Sequence, residues 1–328
     1  MNRFKEARDK GGRFLLDQLG DDGKFGSSDM GAMEYYKVPS ALLVCGQSNA
    51  ASRLLDWVRR KGMTAEGDFG PRPNGAKDDY GYAYYNSWLI IGAQRLGQFD
   101  ISESGMEFLM RFWNPNTGAF FSSYCEREPH TKEDLWVVSG SGEAALYTGR
   151  IDAAKAVGGW MERMMEAQPN YPDQMYTVSS KTTGLITEPD PKEEIRYVLN
   201  CDAQRDEFFF NPGIAGGFLA RLFQVTGEQK WLDLSQEYMR FADGASDFLF
   251  KLLRAGKVGW AASVLYTLTG EDKYQKMAIR VGDNLIEAQN DDGSWDFPPA
   301  PMATNDVTAE MVVWLDEIHQ AVGADWHE

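Results

Sequence analysis

Apolar residues return at spacings of three and four through most of this chain, the period of a helix with one buried face. The clearest stretch is 212–243, PGIAGGFLARLFQVTGEQKWLDLSQEYMRFAD, where Ile214, Phe218, Leu219, Leu222 and Val225 share a face. Gly227 stops that helix, and Trp231, Leu232, Leu234, Tyr238 and Phe241 then line a second one. The pattern predicts a helical hairpin about Gly227. Gly216 and Gly217 would admit a close neighbour to its first helix, at a propensity cost of about 1 kcal/mol each.

The same helix–Gly–helix outline recurs at 41–60 around Gly46, 84–112 around Gly97, 142–165 around Gly149 and 260–284 around Gly270. ALYTGRIDAAKA, LFQVTGEQKWLD and LYTLTGEDKYQK show the kinship most directly. A lone helix at 4–19 precedes the first unit, and another at 306–322, ending at Gly323, follows the last. If those two pair, six hairpins close into a ring: an all-α (α/α)6 barrel, a toroid of about twelve helices alternately inner and outer. An open array would carry polar capping helices. Leu15, Leu16, Leu19, Met311, Val312 and Leu315 instead make both terminal helices apolar enough to bury. The chain is thus expected to be one toroidal domain over 1–328.

The links carry the individuality. Residues 63–81, rich in Gly, Pro and Asp, read as loop, and 114–135 holds a turn and a short strand-like run, NPNTGAFFSSY. The largest insertion is 167–211, where MYTVSSKTTGLITEP alternates β-branched and polar residues about a turn and predicts a β-hairpin near 175–190. Loops of that length serve sites or lids. In a ring of hairpins the links from outer to inner helices gather over the cavity mouth, so the site is expected there.

Charge narrows the partners. With 33 basic against 49 acidic residues the net charge is −16, which argues against nucleic acid and anionic membranes and leaves carboxylates for a metal. Cys45, Cys125 and Cys201 are too few and too scattered for a disulfide framework or a zinc cluster. The polar start, MNRFKEARDKGG, lacks a signal-peptide core, and no apolar run reaches the roughly 18 residues of a membrane span. A soluble cytoplasmic protein, monomer or homodimer, is expected. No hydrolase elbow surrounds Ser139 or Ser141, and no Gly-rich phosphate loop is visible.

Two acidic clusters with aromatic flanks fall at predicted inner-helix mouths. In KDDYGYAYYNSW, Asp78 and Asp79 precede Tyr82, Tyr85, Asn86 and Trp88. In NCDAQRDEFFFN, Asn200, Asp202, Arg205, Asp206, Glu207, Phe209 and Asn211 gather, and Asp202 and Asp206 would share a face if that segment were helical. Carboxylates and amide oxygens suit magnesium, and magnesium with arginine suits diphosphate. Arg205, with Arg72, Arg127 or Arg196, could supply the cation. Aromatics make up 13 % of the chain; Trp260 and Trp314, with Tyr80, Tyr84, Phe208 and Phe210, fall near or on inner helices and could wall a pocket.

Three segments at hairpin ends resemble one another: LDQLGDDGKFG (16–26), FWNPNTGAFF (112–121) and EAQNDDGSWDF (287–297). The last fits a QW motif, Gln289 followed by Asp292, Gly293, Ser294 and Trp295, in which the Gln would bond backbone at a helix end and the Trp would clamp adjacent outer helices. On this motif and the architecture, the chain resembles the terpenoid cyclase and protein prenyltransferase α/α-toroid superfamily. YYKVPSALLVCG and FFFNPGIAGGFLARL are similar to the atypical fungal humulene-synthase-type sesquiterpene cyclases. The resemblance implies a magnesium-dependent lyase that ionises and cyclises a prenyl diphosphate, farnesyl diphosphate foremost. Asp78, Asp79, Asp202 and Asp206 would hold the metal. Arg205, Asn200 and Asn211 would meet the phosphates, with Tyr82, Tyr85, Asn86, Trp88, Phe209, Trp260 and Trp314 shaping the pocket. The sequence departs from that superfamily: no D-x-D-D occurs, Asp78-Asp79-Tyr80-Gly81-Tyr82 lacks the final Asp of D-D-x-x-D, and Ala309 and Val313 stand where the motif opened by Asn305-Asp306 needs Ser and Glu. The alternative is a carbohydrate-active (α/α)6 glycoside hydrolase with Asp79 and Asp202 or Glu207 as paired carboxylates; a third is a non-catalytic binding toroid.

Overall fold

Every hairpin turn lands on a glycine in the left-handed region. Gly46, Gly97, Gly149, Gly227 and Gly270 have φ of 75, 71, 77, 68 and 69°. A Cβ at any of the five would meet nothing within 4 Å, so backbone conformation alone selects glycine there. The computed structural model describes residues 2–26, 31–72, 81–123, 128–297 and 303–323.

The helices are α1 (Arg3–Leu16), α2 (Val38–Val44), α3 (Ser48–Trp57), α4 (Tyr82–Arg95), α5 (Phe99–Leu109), α6 (Leu135–Tyr147) and α7 (Ile151–Glu166), followed by α8 (Glu194–Tyr197), α9 (Phe210–Thr226), α10 (Gln229–Asp243), α11 (Asp247–Phe250), α12 (Gly256–Thr269), α13 (Asp272–Glu287) and α14 (Thr304–Val322). Six of them, α2, α4, α6, α9, α12 and α14, pack each on the next, and α14 returns to α2. Around them α3, α5, α7, α10 and α13 each back their hairpin partner, while α1 lies on α14. The expected (α/α)6 toroid, closed by its terminal helices, is the fold. Inner helices are buried nearly all round, as α9 is from Phe210 to Ala220, whereas outer helices such as α13 bury one stripe. Gly217 faces the Trp260 ring and Gly216 faces Met239, so the paired glycines do admit close neighbours.

The links from outer to inner helix share one device. Gly23, Gly67, Gly118 and Gly293 have φ of 86, 90, 78 and 96°. An added Cβ would lie 2.1 to 2.7 Å from a backbone carbonyl of the following outer helix: Arg53 on α3, Ser104 on α5, Ala156 on α7 and Lys10 on α1, respectively. Two residues after each glycine an aromatic ring, Phe25, Phe69, Phe120 or Trp295, is buried. The fourth copy closes the ring. Gln289 donates to the carbonyls of Ala7 (2.9 Å) and Gly293 (3.0 Å), and the Trp295 indole donates to Leu285 at 2.7 Å, so α13 and α1 are clamped as neighbouring outer helices.

The insertion between α7 and α9 folds as predicted about a hairpin, β5 (Val178–Ser180) with β6 (Gly184–Leu185). It also pairs β5 with β3 (Lys132–Asp134), and β4 (Gln174–Tyr176) with β7 (Val198–Asn200). A further short pair, β1 (Trp113–Asn114) with β2 (Ala119–Phe120), lies in the α5–α6 link. Val178, Tyr197 and Val198 give the insertion a small core of its own. Among the described residues no helix is long and apolar enough to cross a membrane.

Candidate active site

All six inner helices begin at the same end, and there they enclose a cavity of about 280 Å³. Each contributes residues at or near its start: Tyr36 and Lys37 just ahead of α2, Tyr84 and Tyr85 on α4, Trp136 on α6, Phe210 on α9, Lys257 on α12, and Asp306 and, one turn further on, Glu310 on α14. The insertion adds Arg196 and Phe208 to the lining.

The floor is an ionic cluster. Lys37 Nζ lies 2.8 Å from Asp306 and also donates to Glu310, which accepts from Lys257 as well. The Trp314 indole donates to Glu310 at 3.1 Å, and Trp260 stacks on Trp314 with centroids 5.0 Å apart. Trp88 meets Trp314 edge-on at 5.6 Å. Lys37, Lys257 and Glu310 are buried and Asp306 is half-buried, so the charges hold one another in place. Burial raises the Asp306 carboxyl above its ordinary range, against the pull of Lys37. Burial also opposes charge on Glu310, but its two lysines hold it well below that range. Burial brings the Lys257 ammonium down to about 8, Glu310 only partly countering it. Lys37 ends above its ordinary value, because Asp306 and Glu310 outweigh its burial.

The walls are aromatic. Tyr36 meets Tyr85 at 4.6 Å, Tyr84 meets Trp136 at 4.8 Å, and Trp136 meets Phe210 at 5.5 Å. At the mouth the Arg254 guanidinium lies 4.3 Å from the Phe208 ring centroid and 5.2 Å from that of Phe297, and its Nε donates to Asp206 at 3.0 Å.

The residues singled out from sequence are dispersed. Asp78, Asp79, Tyr80 and Arg127 lie outside the described residues. Segment 201–209 is turn and coil, so Asp202 and Asp206 share no helix face; Asp202 is exposed and Asp206 reaches the cavity only through Arg254. Glu207 is buried and accepts from the Asn200 backbone (2.6 Å) and from Arg205 (2.8 Å), which also binds Glu194 at 3.1 Å, so this cluster ties down a loop. Asn211 donates to the Phe208 carbonyl, and Phe209 packs in the core on Phe250. Tyr82 and Asn86 donate to Asp68, and Arg72 joins them, fixing residues 68–72 of the α3–α4 link to α4. Among the described residues no group of three or more acidic, His or Cys side chains gathers as a metal site. Tyr85 does line the cavity, and Trp88, Trp260 and Trp314 support its floor. The sequence reading missed Lys37, Lys257 and Glu310, and considered Asp306 only as a failed motif. Their signal was a lone charge within an apolar helical run, as in VGWAAS beside Lys257 and MVVWL beside Glu310.

No protein-family model and no curated protein sequence matches the chain. Solved structures do share its fold. D-mannose isomerase superposes with a TM-score of 0.68 over 97 % of both chains, at 12 % identity. The GH76A α-1,6-mannanase from Salegentibacter sp. HEL1_6 does so at 0.65, over 97 % of this chain and 99 % of that one, at 12 % identity. An inactive variant of that mannanase has been solved in complex with α-1,6-mannotriose. Cellobiose 2-epimerase from Bacillus thermoamylovorans matches at 0.65 over 95 % of this chain and 99 % of that one, at 9 % identity. These neighbours overturn the resemblance to terpenoid cyclases, and with it the prenyl-diphosphate lyase and its farnesyl substrate. The physical reason is that the Gln289–Trp295 clamp answers a need of any closed ring of helical hairpins, whatever its cavity holds. D-mannose isomerase, the α-1,6-mannanase and cellobiose 2-epimerase, which share the toroid, are all named for sugars.

Proposed function

We propose that this chain is a carbohydrate-active enzyme that receives a sugar in the aromatic cavity and cleaves a glycosidic bond there. The observation that carries the reading is the pair Asp306 and Glu310, one helical turn apart on α14 and displaced in opposite directions along the titration scale. Glycoside hydrolysis needs one carboxyl that keeps its proton to give to the leaving oxygen and one that stays ionised. Asp306 is the acid and Glu310 the ionised partner. Tyr36, Tyr85 and Trp136 offer ring faces to the sugar, as apolar pockets with few polar groups do. The sugar-active fold neighbours support the substrate class. A cytoplasmic setting agrees with the free thiols Cys45 and Cys201.

The test is a panel of aryl glycosides and oligosaccharides, α-1,6-linked mannans included, assayed with magnesium and with EDTA. Asp306→Asn is expected to lower kcat by about 10²-fold or more, the usual contribution of a general acid. Turnover of no glycoside, or full activity in Asp306→Asn, defeats the proposal.

A second reading is favoured by Lys257. A buried amine titrating at about 8 can act as a base at neutral pH, and sugar isomerisation or epimerisation needs a base beside the carbonyl. Among the described residues no histidine lines the cavity, whereas Lys257 does. Exchange of deuterium from solvent into a free aldose, lost in Lys257→Met, would select this reading over hydrolysis.

A further inference from the structure

We infer that Lys257 is a covalent capture group, whose amine forms an imine with the carbonyl of an open-chain reducing sugar in the cavity. The step goes beyond bond cleavage and beyond a base at the same position, and it rests on the carbohydrate reading above. Lys257 sits in the first turn of α12, buried on the cavity floor. As an ammonium it has three N–H groups to place, and Glu310 is its one hydrogen-bond acceptor among the described residues. Otherwise it faces rings, with centroids 4.9 Å away for Phe210, 5.8 Å for Trp314 and 5.9 Å for Tyr84. Ring faces return only part of what an ammonium loses on leaving water. The charged form is short of acceptors here, and a neutral amine needs fewer.

The surrounding charges act in the same direction. Facing Lys257 are Glu310 and Asp306 from α14, Lys37 from ahead of α2, Tyr84 from α4, and Arg254, which pairs with Asp206 and lies 5.5 Å from the same Phe210 ring. Lys37 and Lys257 bind opposite oxygens of Glu310, and the Trp314 indole donates to that carboxylate as well. With Asp306 holding its proton as the acid, the floor has two ammoniums for one carboxylate. Loss of a proton from Lys257 leaves Lys37 and Glu310 as a balanced pair, and Glu310 keeps Lys37 and Trp314 as donors. A lysine desolvated beside a second cation is the arrangement that makes an amine nucleophilic near neutral pH. Burial, opposed by Glu310 and aided by Lys37, brings its titration down to about 8.

Capture needs neither oxidant nor reductant. The Nζ lone pair bonds to the carbonyl carbon while the C=O electron pair moves to oxygen, which takes one of the two amine protons. That oxygen leaves as water with a proton lent by Asp306, and the second amine proton passes to Asp306. One C=O bond becomes one C=N bond, and one water is released. A free aldose, such as cleavage of a glycosidic bond releases in this same cavity, meets the requirement. A glycoside, with its carbonyl carbon locked, does not.

Reductive trapping on the full chain is the test. Mannose, glucose or methyl α-mannoside is incubated with the protein and cyanoborohydride at a pH of about 8. Intact mass and peptide mapping then locate any adduct, which adds the mass of the sugar less one oxygen. The two free aldoses are expected to mark Lys257 at least about tenfold faster than exposed lysines such as Lys5 and Lys61, which stay almost wholly protonated there. Methyl α-mannoside should mark nothing. Lys257→Arg keeps a cation beside Glu310 without a primary amine and should abolish the adduct. If that variant does not fold, the ratio of labelling at Lys257 to that at exposed lysines of the wild type decides. Labelling of Lys257 no faster than that of exposed lysines overturns the inference. If that happens while a glycoside is cleaved or solvent deuterium enters a sugar, the carbohydrate reading stands without it. With no turnover of any sugar, both fall.

Discussion

Lys37 Nζ lies 2.8 Å from the Asp306 carboxyl group, across the seam at which the first inner helix of the ring meets the last. The bond thus joins residues from opposite ends of the chain inside the cavity that the closure creates. Replacing Lys37 by Met leaves the buried, ionised Glu310 with one of its two lysines. Removing one partner of a buried ionic group costs about 3–5 kcal/mol. Urea denaturation of Lys37→Met at neutral pH should show a loss of that order, easing as acid protonates the uncompensated carboxylate. A loss below about 1 kcal/mol, the scale of an exposed ion pair, would mean that water reaches the cluster freely.

Lys257 makes a pH prediction with a definite sign. Its ammonium titrates at about 8 in the folded chain against 10.5 ordinarily. Between those values the unfolded chain binds the extra proton, so this group makes folding more favourable as pH rises. The raised thiols of Cys45 and Cys201 act oppositely above their ordinary value of 9.0. Stability curves of the wild type and of Lys257→Met isolate the lysine. The difference between them should shift in favour of the wild type as pH climbs from 8 towards 10, and a flat difference would show that Lys257 keeps its ordinary titration.

Glu143, on α6 away from the mouth, behaves in the reverse sense. Burial, only partly offset by Arg221, lifts its carboxyl to about 7. The folded chain therefore keeps a proton that the unfolded chain releases above 4.5, and stability from this group is lost as pH rises from 4.5 through 7. Glu143→Gln should flatten that decline and leave the protein more stable than wild type at pH 8. Parallel pH–stability curves for the two proteins would refute it.

The two sorts of positive-φ glycine predict unequal costs. At Gly270 an alanine incurs only the left-handed backbone penalty, about 1–2 kcal/mol. At Gly293 it adds a Cβ 2.5 Å from the Lys10 carbonyl, which belongs to a packed helix and cannot give way cheaply. Gly293→Ala should therefore be the more destabilising in chemical denaturation, by more than about 1 kcal/mol. Equal losses would mean that the link does not bear on α1.

The ring was legible in the sequence because its signals are local. A glycine after an apolar run marks a turn wherever it occurs, and Gly46, Gly97, Gly149, Gly227 and Gly270 each do so. The G-x-aromatic links at Gly23, Gly118 and Gly293 are visible too, whereas Gly67 with Phe69 sits in a segment whose composition marks only a loop. Inner helices began earlier than periodicity indicated, α6 at Leu135 rather than 142, since a helix buried on all sides shows no polar face to mark its start. The cavity was less legible for a different reason. Clusters of neighbouring charges such as Asp202, Arg205, Asp206 and Glu207 draw the eye, but Arg205 and Glu207 satisfy one another on a loop, Asp202 is exposed and Asp206 pairs with Arg254. Lys37, Lys257 and Glu310 come from three separate helices and meet only once the ring closes. The Gln289–Trp295 segment was read correctly as a clamp and wrongly as a family mark, since the mechanical need it meets is common to closed rings.

Closure also changes how the protein should come apart. In an open stack of helical hairpins the end units have one neighbour each and fray first, so unfolding can proceed by stages. Here α1 on α14, and Gly293 on Lys10, give the outermost parts of the chain the same pair of neighbours as every other hairpin. There is no weakest end from which to peel. Loosening any one hairpin removes two contacts at once, so the toroid should melt as a single cooperative unit, with slow amide exchange in α1 and α14 as much as in α6 and α9.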